Sequence, residues 1–325
     1  MTVAAKSAES PVDLFEGVAR SPSHDFWRRF RRDRLAVASG VFLVLVVLAA
    51  LGGAPLAAKV TGHSQNQQLF SALDQNGLPL GVMERTYNPE GTKHDPHGAL
   101  FVLGADRLGR DQLVRVFYGA RVSLIVAFGA TSIAILIGII VGVAAGFYGG
   151  KVDAVASRFI ESAMAFPALL LAVALAVVIG AGLVNALVVI AVFTWYYPAR
   201  IVRTQTIALK RTQFIEAARS IGGSDFHILF RHVLPHLVAP LLVYGTSILA
   251  TNILFEAGLS YLGVGVPQPT ASWGSMLSDA VTSGYYRFDP ALVLVPGAAL
   301  VLTMLALNLL GDGLRYAFDP RSSMR

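Results

Sequence analysis

Six apolar runs, each about 20 residues long, recur along this chain and leave few folds open. They fall at 35–57, 122–148, 160–181, 183–202, 234–257 and 290–312. A run of that length matches the hydrocarbon thickness of a bilayer, where each backbone N–H and C=O must find its partner within protein. Helices satisfy that condition. The pattern therefore predicts an all-α polytopic membrane protein with six transmembrane helices. Composition agrees: the chain is 54% hydrophobic and 14% charged, against about a quarter charged in a soluble domain. It has no cysteine, which excludes disulfides, thiol catalysis and cysteine metal sites.

The polar segments divide the chain. Residues 1–34 are a Ser- and Pro-containing tail ending in the basic stretch Arg28 to Arg34. Basic residues before an apolar run are also the charge order of a signal peptide. This run lies late and further runs follow, so 35–57 reads as an uncleaved first helix. Residues 58–121 are too polar to span and read as an external lobe. His94 and His97 flank Asp95 there; they read as solvated loop histidines, with no metal expected. Of 26 Lys and Arg, 18 fall on the side of both termini and eight on the other. The excess of basic residues in cytoplasmic segments places both termini, including the tail 316–325, in the cytoplasm. It also explains the basic balance of the chain without nucleic acid as a partner. Gly138, Gly142, Gly146 and Gly150 recur every fourth residue, a spacing that lets helix backbones approach closely. Loop 258–289 falls outside, and its Pro267-Gln268-Pro269 turn suits a short re-entrant excursion.

Between two strongly apolar runs lies QFIEAARSIGGSDFHILFRHVLP, residues 213–235. Phe214, Ala217, Ala218 and Ile221 fall at helical spacing and form an apolar strip. Gly222-Gly223 suits a C-terminal turn, and Ser224 suits the N-cap of a second helix from Asp225. Phe226, Leu229 and Val233 then share a face. Spacing alone leaves two readings open: a helix for a groove on a partner protein, or a basic helix lying on lipid.

Glu216-Ala217-Ala218, then Gly222, then Leu234-Pro235, resembles the cytoplasmic coupling loop of ATP-binding-cassette (ABC) importer permeases. More segments narrow the resemblance. Leu103-Gly104-Ala105-Asp106-Arg107-Leu108-Gly109-Arg110-Asp111 precedes Tyr118-Gly119-Ala120-Arg121-Val122-Ser123-Leu124. Phe255-Glu256-Ala257-Gly258-Leu259-Ser260-Tyr261-Leu262-Gly263 precedes Ser272-Trp273-Gly274. Asn308-Leu309-Leu310-Gly311-Asp312-Gly313-Leu314-Arg315 and Asp319-Pro320-Arg321 close the chain. Together, over about 101–321, these are similar to the second ("C") permease subunit of dipeptide, oligopeptide and nickel importers. Ala105 stands where Thr is usual, Tyr261 where Phe is usual and His236 where Asn is common.

The resemblance implies a type I ABC importer permease fold with its core at 122–315 and a coupling loop at 203–233. The coupling residues it implies are Phe214, Glu216, Ala217, Ala218, Arg219, Gly222, Asp225, Phe226, Leu234 and Pro235. It implies a homologous permease subunit, two ATPase subunits or domains and an extracytoplasmic substrate-binding protein as partners. The setting it implies is the bilayer of a bacterial or archaeal cytoplasmic membrane. Peptide is the expected cargo, with nickel or another small solute as the alternative and a stand-alone secondary transporter as the rival class.

The chain itself is not expected to be an enzyme. At Gly150-Lys151 the next residue is Val152 and the first Gly position is Ala145, so no phosphate-binding loop is present. ATP and magnesium are expected on the partner ATPases, and no cofactor in this chain. His232 and His236 have zinc-like spacing, but no Glu follows His232, so they read as polar surface. Glu256 and Asp312 fall near the ends of their runs. Asn185, Asn252, Glu256 and Asn308 are the candidates for lining a pathway, with hydrogen bonding between helices as the simpler role.

Overall fold

The computed structural model describes residues 22–73, 77–86 and 98–318. Helix α1 (Pro22–Arg32) leads into α2 (Arg34–Leu48). Asp33 between them caps α2 by accepting from the N–H groups of Leu35 and Ala36. A π-helical turn at Ala49–Gly53 joins α2 to α3 (Ala54–Thr61), so the first apolar run forms one span, Arg34–Thr61. The other helices are α4 (Gln112–Tyr148), α5 (Gly150–Ala165), α6 (Ala168–Ile179) and α7 (Leu183–Val192). They continue with α8 (Tyr196–Lys210), α9 (Gln213–Ser220), α10 (Asp225–Ile228), α11 (Leu234–Tyr261), α12 (Trp273–Ser283) and α13 (Ala291–Phe318).

Among the described residues, four stretches are long and apolar enough to cross a membrane alone: Arg34–Thr61, Gln112–Tyr148, Asp225–Tyr261 and Ala291–Phe318. The other two runs are bent pairs. The run expected at 160–181 is not one helix, because α5 and α6 meet at 87°. Pro167 has no N–H to donate and pushes Phe166 into extended backbone (φ −99°, ψ 145°), which stops α5. The run expected at 183–202 bends by 41° between α7 and α8. Pro198 sits in the first turn of α8, where its missing N–H costs no helical bond. Six spans result when each bent pair counts as one.

Boundaries also move: the first span ends at 61 rather than 57, α5 starts at 150 rather than 160 and α8 ends at 210 rather than 202. Helix α4 starts ten residues before the expected 122, because Asp111 caps it through the N–H groups of Leu113 and Val114. Arg115 and Arg121 had hidden this turn within a polar segment. Helices α11 and α13 run on to Tyr261 and Phe318, so Glu256 and Asp312 lie inside helices rather than at their ends.

Helix α4 is the centre of the packing. Added Cβ atoms at Gly138, Gly142 and Gly146 would come within 2.8, 2.6 and 2.7 Å of Ala199 N, Ala199 O and Thr206 Cβ on α8. These glycines hold the two backbones together, as their spacing predicts. Gly150 is not part of that contact. It lies in the α4–α5 turn at φ +51°, with open space beside it.

Between α3 and α4 the chain forms a small lobe. Strands β1 (Glu84–Arg85) and β2 (Leu100–Phe101) pair antiparallel over a core of Ala72, Phe101 and Ala105. His94, Asp95 and His97 lie outside the described residues, as does Asp319-Pro320-Arg321. The segment 258–289, expected as a loop, contains α12. Its signals were legible: Ser272 and Ser275 form a reciprocal capping box, and Gly284 ends the helix at φ +74°. Trp273 is buried against α4, donating Nε1–H to Val116 O at 3.1 Å and its backbone N–H to Ser123 Oγ at 3.3 Å.

The bundle thus has two ends. At one, Phe26 of α1 meets Phe318 of α13 at 4.5 Å, Arg315 covers Tyr244 of α11, and Arg219 of α9 covers Phe147 of α4. At the other lie the lobe and α12.

Candidate functional site

At the α9 end the sequence segment 213–235 folds as two short helices that hang from the spans by a few apolar anchors. Helix α9 buries Ile215, and α10 buries Ile228. Both enter a cluster with Val143 and Phe147 of α4, Val202 of α8, and Val233 and Leu237. Ala218 and Leu229 pack against its edge. Ile215 and Ile228 were not singled out in the sequence. The expected strip Phe214, Ala217, Ala218 and Ile221 is divided instead, with Ala218 half-buried and the other three exposed.

The turn between the helices follows from its glycines. Gly222 adopts φ +86°, and Gly223 N–H donates to Ala218 O at 3.0 Å, closing the end of α9. A Cβ on Gly223 would come within 2.7 Å of Ala218 O. Ser224 then caps α10 by accepting from His227 N–H at 3.3 Å. A π-helical turn at Leu229–Val233 makes α10 continuous with α11, so Asp225–Tyr261 is one rod. Pro235, with no N–H to donate, falls in the first turn after this widening, and Leu234 packs on the anchor cluster. Lys210 Nζ donates to Phe147 O at 2.6 Å and ties the end of α8 to the end of α4.

What the segment leaves exposed is unusual for a terminal turn. Ile221 is 88% exposed, Phe226 70% and Phe230 56%, and the rings of Phe226 and Phe230 meet at 4.3 Å, tilted by 35°. Phe214, at 41%, stacks on His236 at 5.2 Å. Glu216 is exposed beside them, and Arg219 and Asp225 form an exposed ion pair at 3.8 Å across the glycine turn. An apolar patch rimmed by charge is the physical signature of a surface meant for protein or membrane. The ten coupling candidates are contiguous on α9, its turn and the α10–α11 rod.

The four pathway candidates are not contiguous. Asn252 is buried on α11 and donates Nδ2–H to Thr131 Oγ1 of α4 at 2.8 Å. Glu256, one turn later, is also fully buried and accepts from Ser260 Oγ at 2.7 Å. Asn185 donates to Gly180 O at 3.1 Å and so fastens the α6–α7 turn. Asn308 is exposed on α13. Asn252 therefore joins α11 to α4, the Glu256 bond stays within α11, and both side chains are buried inside the subunit.

The α12 end holds a cluster that sequence reasoning missed. Arg110, only 2% exposed, donates Nε–H to Asp106 at 2.6 Å, Nη2–H to Asp279 at 3.2 Å and Nη1–H to Gln268 at 3.2 Å. Arg115 reaches Asp106 at 3.3 Å, and Gln268 also donates to Asp279 at 2.8 Å. His63 pairs with Asp111 at 2.8 Å. Gly109 turns the Asp106–Arg110 loop at φ +70°, and a Cβ there would strike Leu69 O at 2.2 Å. Leu103–Asp111 had been read only as a family signature. Its charges in fact join the lobe, α4 and α12.

The chain is similar in sequence and fold to known proteins. Residues 134–324 match the family model for the binding-protein-dependent transport system inner membrane component. Residues 21–76 match the N-terminal TM domain of oligopeptide transport permease C. The glutathione transport system permease protein GsiD of Pectobacterium atrosepticum is 36% identical over 93% of this chain and 92% of its own. GsiD of Escherichia coli O157:H7 is 38% identical over 93% of this chain and 91% of its own. Among solved structures, a chain of the MetNI methionine ABC transporter in an inward facing conformation superposes with a TM-score of 0.51. That match covers 62% of this chain and 95% of the other at 22% identity, a likeness of fold alone.

Proposed function

Because the chain belongs to the binding-protein-dependent transport system inner membrane component family, the permeases of ABC importers, we propose that α9 and α10 dock an ATPase subunit and that the cargo is a peptide. The observation that carries the docking is the exposed patch of Ile221, Phe226 and Phe230, set on a segment held by Ile215 and Ile228. Its place at the end of a continuous rod, Asp225–Tyr261, suits a lever. Movement of the patch with an ATPase groove would tilt α11 and α4, switching access between the two sides through differential contacts in two states.

In this reading the pathway forms between this subunit and a homologous permease. Two ATPase subunits or domains bind ATP and magnesium on the cytoplasmic side. A substrate-binding protein delivers cargo at the α12 end. The chain is multi-pass in a bacterial or archaeal cytoplasmic membrane, with both termini and α9 inside, as the placement of 18 of 26 basic residues supports. The chain supplies no catalysis of its own. Peptide is favoured over nickel or another solute because the curated relatives are named for glutathione, itself a small peptide.

The test is ATPase activity and peptide uptake of the assembled, reconstituted importer. Gly222→Pro and Glu216→Lys should assemble yet lose cargo-stimulated hydrolysis and uptake. Wild-type stimulation in both variants contradicts the docking role. A panel of di- and tripeptides, including glutathione, against nickel in the same assay decides the cargo class.

A further inference from the structure

Helix α1 and the first turn of α2 carry five arginines within seven residues: Arg28, Arg29, Arg31, Arg32 and Arg34. Arg31, Arg32 and Arg34 are exposed. Aromatic side chains accompany them: Trp27 is 49% exposed beneath the Arg31 guanidinium at 4.8 Å, and Phe30 stacks on Trp27 at 5.8 Å. Such a mixture suits the boundary between headgroups and acyl chains. Nearby carboxylates among the described side chains are Asp33, already used as the α2 cap, and Asp312 on α13. Arg31, Arg32 and Arg34 give the rim its exposed positive charge.

A second feature begins where the arginines end. An open apolar groove of about 260 Å³ runs between α2 and α13, lined by Leu35, Ala38, Phe42, Leu302, Leu305 and Leu309. The two helices are antiparallel here and touch closely behind it: a Cβ on Gly313 would come within 2.1 Å of Ala36 Cβ. At 1.5 Å per residue, Leu35 to Phe42 carries the groove about 10 Å down from Arg34. It starts at the interface and enters the hydrocarbon depth.

We propose that this groove and the arginine rim form a binding site for one anionic phospholipid, with an acyl chain along α2 and α13 and the headgroup phosphate on Arg31, Arg32 and Arg34. The occupant is set by two complementarities. The groove is apolar apart from Ser39, and the rim offers guanidinium groups that bind phosphate in bidentate fashion. Juxtamembrane basic residues attract anionic lipid, each by roughly a factor of five in affinity. The site is independent of cargo and of the α9 surface. Its consequence is mechanical: the lipid would fasten α1 and α2 to α13.

The probe is phosphatidylglycerol against phosphatidylethanolamine, measured by native mass spectrometry of the intact importer released from mixed-lipid nanodiscs. Wild type should retain phosphatidylglycerol selectively. The triple variant R31Q/R32Q/R34Q should lower that selectivity at least about tenfold. Because charge removal could disturb insertion, Ala38→Phe is the second variant. It fills the groove, keeps every charge, and should abolish retention. Wild-type retention by Ala38→Phe would reduce the effect to diffuse attraction and overturn the site. Disulfide formation from Leu305→Cys to a cysteine on the partner permease would show protein in the groove and overturn it as well.

Discussion

The α12 end and the α9 end of the molecule treat charge and apolar surface in opposite ways. At the α12 end, Asp106, Arg110, Arg115 and Asp279 are withdrawn from water and bonded to one another. At the α9 end the one ion pair of the glycine turn, Arg219–Asp225, has both side chains at least half exposed, and three large apolar side chains face outward. The first end is built to cohere. The second is built with surface to spare. Under the proposed docking role, a subunit pulled at the α9 end needs its helices fastened at the other, and the difference fits that division.

Four substitutions, and Gly40→Ala as a control, sharpen or break that contrast. The largest effect should come from Arg110→Ala, which leaves the nearly buried carboxylates of Asp106 and Asp279 short of a partner. Loss of a buried partner costs about 3 kcal/mol or more. The detergent-solubilised chain should aggregate at a clearly lower temperature, and a wild-type melting profile would remove the fastening role. Next comes Gly142→Ala. Its Cβ would meet Ala199 O at 2.6 Å, so α4 and α8 must part. Overpacking of that kind costs about 1–3 kcal/mol. By contrast Gly40→Ala, whose nearest neighbour is 3.8 Å away, should melt like wild type. Gly222→Ala follows, with about 1–2 kcal/mol of local strain at φ +86°. Its stability loss should be smaller than that of Arg110→Ala, while its loss of cargo-stimulated ATPase activity should be larger. The smallest effect on stability belongs to Arg219→Ala, below about 1 kcal/mol, because the pair is solvent-screened. A melting shift as large as that of Arg110→Ala would erase the distinction between the two ends.

The sequence exposed the two ends unequally. Apolar length alone gave the four long spans, because a bilayer-spanning run needs no tertiary information. Gly138, Gly142 and Gly146 were legible as a contact face because close packing demands a missing Cβ at a fixed period. The bent pairs were not, although Pro167 was in view; hydropathy continues across the break while the backbone turns by 87°. The turn between α9 and α10 was legible from Gly222, Gly223 and Ser224, since cap chemistry is local. Its anchors were not: Ile215 and Ile228 differ from exposed Ile221 only in which side meets α4, and that is decided by α8 and α11. The Arg110 cluster was hidden for the same reason. Its members Asp106 and Asp279 come from segments 173 positions apart, and buried charge is inferred from exposure, not from spacing.

The central claim is that the exposed α9–α10 patch is covered by an ATPase subunit. Since the chain has no cysteine, Phe226→Cys supplies a single reporter. Its labelling rate with a thiol reagent should be measured in the permease pair alone and in the complex assembled with the ATPases. Labelling at Ser71→Cys, in the lobe, serves as the reference. The account predicts fast labelling at 226 in the permease pair and strong protection in the complex, with the rate at 71 unchanged. Equal labelling of 226 with and without the ATPases would contradict it.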